Sequence, residues 1–139
     1  MLTFTGIFDQ VPIDSKLVIP PQKPEMEYIL DTKVNVIINK DEVIDTPLLV
    51  PEAEDEVQLR KVVVSGIVEI KIVYSALVPD QKVHAAHFNV PFCELIEWPD
   101  GPPQGTPIEV DPVIEKEVFM KEDERRIFKS LLIRLDIYR

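Results

Sequence analysis

The side chains in this sequence able to do chemistry are few: two histidines, His84 and His87, a single cysteine, Cys93, and a surplus of carboxylates. The histidines stand as His84-Ala85-Ala86-His87, and on a strand a spacing of three sends them to opposite faces, which denies them a shared metal ion. His87 falls on the more polar side and is expected in solvent; His84 ends an apolar file and is expected as a hydrogen-bonded core or rim residue. Cys93 shares a face with His87, but six residues of extended chain hold them about 20 Å apart, too far for a thiolate and its base. Having no second cysteine to pair with, it is expected either as a small buried hydrophobe or as a link between chains. Glu52-Ala53-Glu54-Asp55-Glu56 places four carboxylates in five residues. Mutual repulsion favours an exposed loop there, and a calcium loop would want spaced ligands and a turn glycine that this run lacks. There is no CxxC, no HExxH, no glycine-rich phosphate loop and no nucleophile elbow. No catalytic, cofactor or metal residue is assigned, and enzymatic activity is not expected.

The elements that position these residues are read from Lys61 to Pro99. Val62, Val64, Gly66, Val68, Ile70, Ile72 and Tyr74 form an apolar file with Ser65, Glu69, Lys71 and Ser75 between them, the period of a half-buried strand. β-branched side chains favour that pleated surface, and Gly66 marks a bend or bulge. Pro79-Asp80 presets a tight turn. The chain then returns with His84, Ala86, Phe88, Val90 and Phe92 on one face and Val83, Ala85, His87 and Asn89 on the other. Pro91 removes a ladder donor, which places this second strand at an edge or near its end. Tyr74 and Trp98, as single aromatics at strand ends, are expected in the core or at its rim.

A chain of 139 residues suits one domain with an ordinary core. Its net charge of −10 and pI near 4.6 argue against nucleic acid and anionic lipid, which need a basic patch, and favour a cationic partner. No apolar run is long enough to span a membrane, and the start MLTFTGIFDQVPID lacks the pattern of a secretory signal, so synthesis in the cytosol without membrane insertion is expected.

Ahead of the hairpin, residues 1–13 alternate loosely and run into Pro12, Pro20, Pro21 and Pro24. This predicts a strand-like arm carrying Leu2, Phe4, Ile7 and Phe8, then an extended connector over Pro12 to Glu27. Residues 1–27 are thus read as arm and connector and 28–139 as the β domain. The arm has two readings: an edge strand of the same domain, which is favoured, or a strand added to a neighbouring subunit, in which case deleting residues 1–27 leaves a folded domain. Thr32–Asn39 and Val43–Val50 read as two strands, Pro99–Pro107 as a surface loop, and Ile108 and Val113–Met120 as further strands. Arg126 to Arg139 fits either a strand or a helix by periodicity. The sum is an all-β fold: an antiparallel β-sandwich or partly open barrel of about seven or eight strands with an N-terminal extended arm.

Four stretches carry a family resemblance: VVVSGIVEIKIVYSA, PDQKVHAAHFNVPFCELIEWP, VDPVIEKEVF and DERRIFKSLLIRLDI. Over Lys33 to Ile137 the chain resembles the SPOCS-type domain of SipL-like spore envelope assembly proteins. The most specific portion is the motif containing His84, His87, Phe88, Pro91, Phe92 and Cys93. The resemblance implies a β-rich module at work in building the spore coat or cortex through protein contacts, and it favours a C-terminal strand. SipL-like proteins carry several such domains and a terminal LysM module for which this chain has no room, so peptidoglycan binding is not carried over. The expected function is that of a non-catalytic assembly protein of the spore envelope, docking on protein partners or on copies of itself, with self-assembly through the arm. The alternative is a monomeric module for a carbohydrate, a small molecule or calcium.

Overall fold

The computed structural model describes residues 1–80 and 82–139. Six strands run in order: β1 (Phe4–Val18), β2 (Met26–Glu52), β3 (Asp55–Ala76), β4 (Val83–Pro99), β5 (Glu109–Lys121) and β6 (Arg126–Tyr138). They form two antiparallel sheets of three, ordered β1-β6-β5 and β2-β3-β4, stacked as a sandwich rather than closed into a barrel. The expected all-β sandwich stands, with six strands in place of seven or eight. The difference lies in β2 and β5, each of which joins two segments read as separate strands.

The physical reason is visible in β2. Its inward residues are Val34, Val36 and Ile38, at even numbers, and then Val43, at an odd one. A register shift between Ile38 and Lys40 reverses the parity without ending the pairing with β3. One extra residue lets a long strand bend while its apolar side stays inward. Proline 47 marks another irregularity, between Asp45 and Leu49. β3, between two partners, keeps an unbroken register with β4 from Leu59↔Pro99 to Ser75↔Val83. Its file Val62, Val64, Val68, Ile70, Ile72 and Tyr74 is buried as the alternation predicts. Gly66 sits in that file opposite the shift, where an added Cβ would stand 2.1 Å from the Ile37 carbonyl oxygen and 3.0 Å from the Phe92 ring.

β6 resolves as a strand, burying Ile127, Leu131, Ile133, Leu135 and Ile137. Lys129 belongs to the same inward file and is fully buried. Its ammonium donates to Ser15 Oγ, and burial pushes its pKa below the usual lysine value against the pull of Asp14.

The Pro12–Glu27 connector is shorter than expected. Pro12 through Val18 continue β1, paired to β6 down to Val18↔Arg126, and only residues 19–25 link the sheets. Proline 12 is tolerated because β1 is an edge strand. The link is clamped by Arg125, whose guanidinium donates to the carbonyls of Pro20 and Lys23 at 3.0 Å each. At the opposite end Arg60 donates to Asp45 Oδ1 and to the Gly101 carbonyl, both at 2.7 Å, fastening the proline-rich loop and holding the Asp45 carboxyl below its ordinary pKa. Between the sheets, Asp41 Oδ2 accepts the Val110 N–H at 3.1 Å, tying β2 to β5.

Candidate interaction face

An antiparallel sheet packed on one side normally turns polar residues to water on the other. The outer face of β2-β3-β4 departs from this. Across its rows stand Tyr28, Ser75 and Val83; Asp31, Val73 and Ala85; Ile37, Ile67 and Pro91; and Glu42, Val63 and Leu95. Leu30 joins them at a register shift, and Tyr28, Leu30, Ile37, Val83 and Leu95 are 63, 55, 38, 64 and 50 % exposed. Single exposed apolar residues are ordinary; a series on one sheet face makes that face the candidate for contacts. The sequence signal for it was the odd-numbered members of KVVVSGIVEIKIVY, Val63, Ile67 and Val73, which make the run apolar on both faces.

Three polar rows interrupt this surface, the last being Lys40, Ser65 and Cys93. In the first, Lys33, Lys71 and His87 are consecutive cross-strand neighbours, a spacing of about 5 Å at which like charges oppose one another. Among the described residues neither lysine has a salt-bridge partner. In the second row, Asn35 Nδ2 donates to Glu69 Oε1 at 3.2 Å, with Asn89 on the far side. A cleft of about 510 Å³ beside these rows is lined also by the inward-facing Val34, Ile70 and Phe88 and by Glu117 of β5, so it opens on the side between the sheets and not on the outer face.

The histidines separate as their spacing requires. His84 is half-buried and its ring stacks on Tyr74 at 6.0 Å, while His87 is exposed. Tyr74 is fully buried, its hydroxyl donates to the Pro24 carbonyl at 2.9 Å, and burial raises its pKa. Phe88 and Phe92 pack inward against the core; Pro91 lies in mid-strand on β4, which is an edge. Cys93 is exposed, which overturns its reading as a buried hydrophobe: opposite Ser65, it faces outward with His87. Among the described residues no group of three His, Cys, Asp or Glu side chains is arranged to hold a metal ion.

The residues read as an assembly arm fall into β1. Ile7 packs on the core, Phe4 and Phe8 are exposed, Leu2 precedes the strand, and the Phe4 ring lies 5.5 Å from that of Tyr138. Thr3 and Arg139 exchange two backbone hydrogen bonds of 2.9 Å beyond the strand's start. The arm thus pairs within its own chain. Beside it, Arg134 grips Asp136 through two hydrogen bonds of 2.8 and 3.1 Å, which raises the guanidinium's pKa. Across the β1–β4 corner, Glu94 on β4 is kept above the ordinary carboxylate range by burial and by the neighbouring Asp9 carboxyl.

Among the described residues no helix is long and apolar enough to cross a membrane. No curated protein matches the chain, and no solved structure does. A family profile described as SipL, SPOCS domain, matches residues 25–120. The match takes in β2, β3, β4 and nearly all of β5, with the outer face and its basic row. The C-terminal stretch DERRIFKSLLIRLDI, which also carries the resemblance, lies outside it. With well over half its length inside that match, the chain belongs to the SipL SPOCS-domain family, and its setting is sporulation.

Proposed function

We propose that this protein is a non-catalytic assembly component of the spore envelope that works through protein contacts made by the outer face of β2-β3-β4. The observation that carries the reading is the series of exposed apolar side chains on that face, Tyr28, Leu30, Ile37, Val83 and Leu95, on a sheet whose other side is already buried. Burying such side chains against a partner contributes on the order of 1.5–3 kcal/mol each when complete. The family supports the setting, and it is not a known enzyme family. Self-association is part of the proposal, and its surface is this face, because β1 is already paired to β6 within the chain.

The test is a double substitution, Ile37→Lys with Leu95→Lys, made in a tagged chain produced in a sporulating host. Both side chains point to solvent, so the melting temperature should stay within a few degrees of the parent. The parent should be recovered in the spore envelope fraction and the variant should not. Equal recovery of the two would remove this face from the function.

A further inference from the structure

We infer that copies of this chain associate head to tail, the tip of the β2–β3 hairpin of one copy docking on the Lys33–Lys71–His87 row of the next. The inference rests on the assembly reading above and names the partner and the contact.

The hairpin supplies the donor. Beyond Leu59, whose partner is Pro99 at the end of β4, only β2 and β3 continue, paired from Leu49↔Gln58 to Glu52↔Asp55. Among the described residues no third strand pairs with this two-stranded ribbon, a structure that gains little stability by itself in water. It exposes Leu48 and Leu49, at 51 and 61 %. Its end carries Glu52, Glu54, Asp55 and Glu56, all exposed, and no lysine or arginine occurs between Lys40 and Arg60. Among the described residues none of these four carboxylates has a salt-bridge partner.

The basic row supplies the acceptor. Two lysines without salt-bridge partners side by side repel one another, an arrangement that an anionic occupant relieves, and His87 extends the row as a hydrogen-bonding neighbour. Apolar side chains flank it, Leu30, Val73 and Ala85 beside Asp31 on one side, and Ile37, Ile67 and Pro91 beyond the Asn35–Glu69–Asn89 row on the other. Donor and acceptor therefore match twice, carboxylates to ammonium groups and leucines to apolar strips. A tip cannot reach the row of its own chain. Fifteen residues of the same strand lie between Asp55 and Lys71, on the order of 50 Å at the rise of a β-strand. A contact between two different surfaces of the same protein leaves one of each free at the ends, so it propagates into a ring or a filament.

The experiment is sedimentation velocity of the full chain over a concentration series at low and at high salt. It compares the parent with Lys33→Glu/Lys71→Glu, with Glu54→Lys/Glu56→Lys, and with an equimolar mixture of the two variants; circular dichroism confirms the fold of each. The parent should associate, and its association should weaken at least tenfold as salt is raised, because attraction between opposite charges is screened. Association of like-charged copies through apolar contacts alone would instead strengthen with salt. Each variant alone should be monomeric. The mixture should associate, since the reversed tip of one fits the reversed row of the other and the natural tip of one fits the natural row of the other. A parent that is monomeric under all conditions overturns the inference, yet leaves contacts with other envelope proteins standing, and those are read by the envelope recovery above. A parent that associates while the variants do so equally, or a mixture that stays monomeric, rejects this docking and leaves self-association through the apolar face.

Discussion

Gly66 is the residue at which the sheet tolerates least. Its backbone lies under the Ile37 carbonyl and the Phe92 ring, so a methyl group has no space without moving β2. Gly66→Ala is expected to cost about 1–3 kcal/mol, as overpacking does elsewhere, read as a lower urea midpoint with an unchanged slope. Glu94 offers a pH test. Burial and the adjacent Asp9 carboxyl raise its folded pKa above the ordinary value of 4.5. The folded state therefore holds its proton more tightly than the unfolded chain does. This contribution to stability is present in full below the unfolded pKa and is lost as pH rises through the folded one. Glu94→Gln keeps the shape and removes the titration, so the variant should gain stability relative to the parent as pH climbs from 4 to 7. A constant difference across that range would show that the β1–β4 corner does not hold the proton.

At the scale of elements, β1 decides whether the sandwich closes. It covers one side of β6 along a register running from Phe8↔Asp136 to Val18↔Arg126, and Val11, Leu17 and Ile19 enter the common core. Removing residues 1–18 would bare that edge of β6 and take Val11 and Leu17 out of the core. The truncated chain is expected to lose its cooperative thermal transition and its sharp amide spectrum, rather than persist as the folded domain that a detachable arm would leave. Much of this was legible beforehand. The alternation Val62 to Tyr74 gave β3 and its inward file, and the return strand followed with both histidines on their correct faces. Two features were hidden, for physical reasons. Bulges reverse parity, so the continuous β2 read as two strands interrupted near Asn39. Proline 12 reads as the start of a connector because a sequence does not say which strands lie at an edge, and β1 does. The outer face is hard to see in the sequence because Ser65, Glu69 and Lys71 share its parity with Val63, Ile67 and Val73, which lets the run read as half-buried.

For the whole molecule the net charge of −10 sets the response to ionic strength. A dilute monomer pushes against its own like charges, and the compact state suffers more from this than the unfolded one. Its melting temperature at neutral pH should therefore rise by a few degrees on going from low to physiological salt, while association through the hairpin tip weakens over the same interval. Opposite salt responses in one sample, read by calorimetry at low concentration and by sedimentation at high concentration, would separate self-repulsion within a copy from attraction between copies. Parallel responses would deny that separation.

The pairing of β1 with β6 also has a consequence for how the chain is made. Thr5 donates its hydroxyl hydrogen to the Ile137 carbonyl, 132 positions away, so the first strand to leave the ribosome waits for one synthesised more than a hundred residues later. Meanwhile β2, β3 and β4, joined by short reversals, are able to pair as they emerge. Throughout translation the nascent protein carries one finished sheet with both apolar sides bare, which makes the interval before closure its period of greatest need for a chaperone.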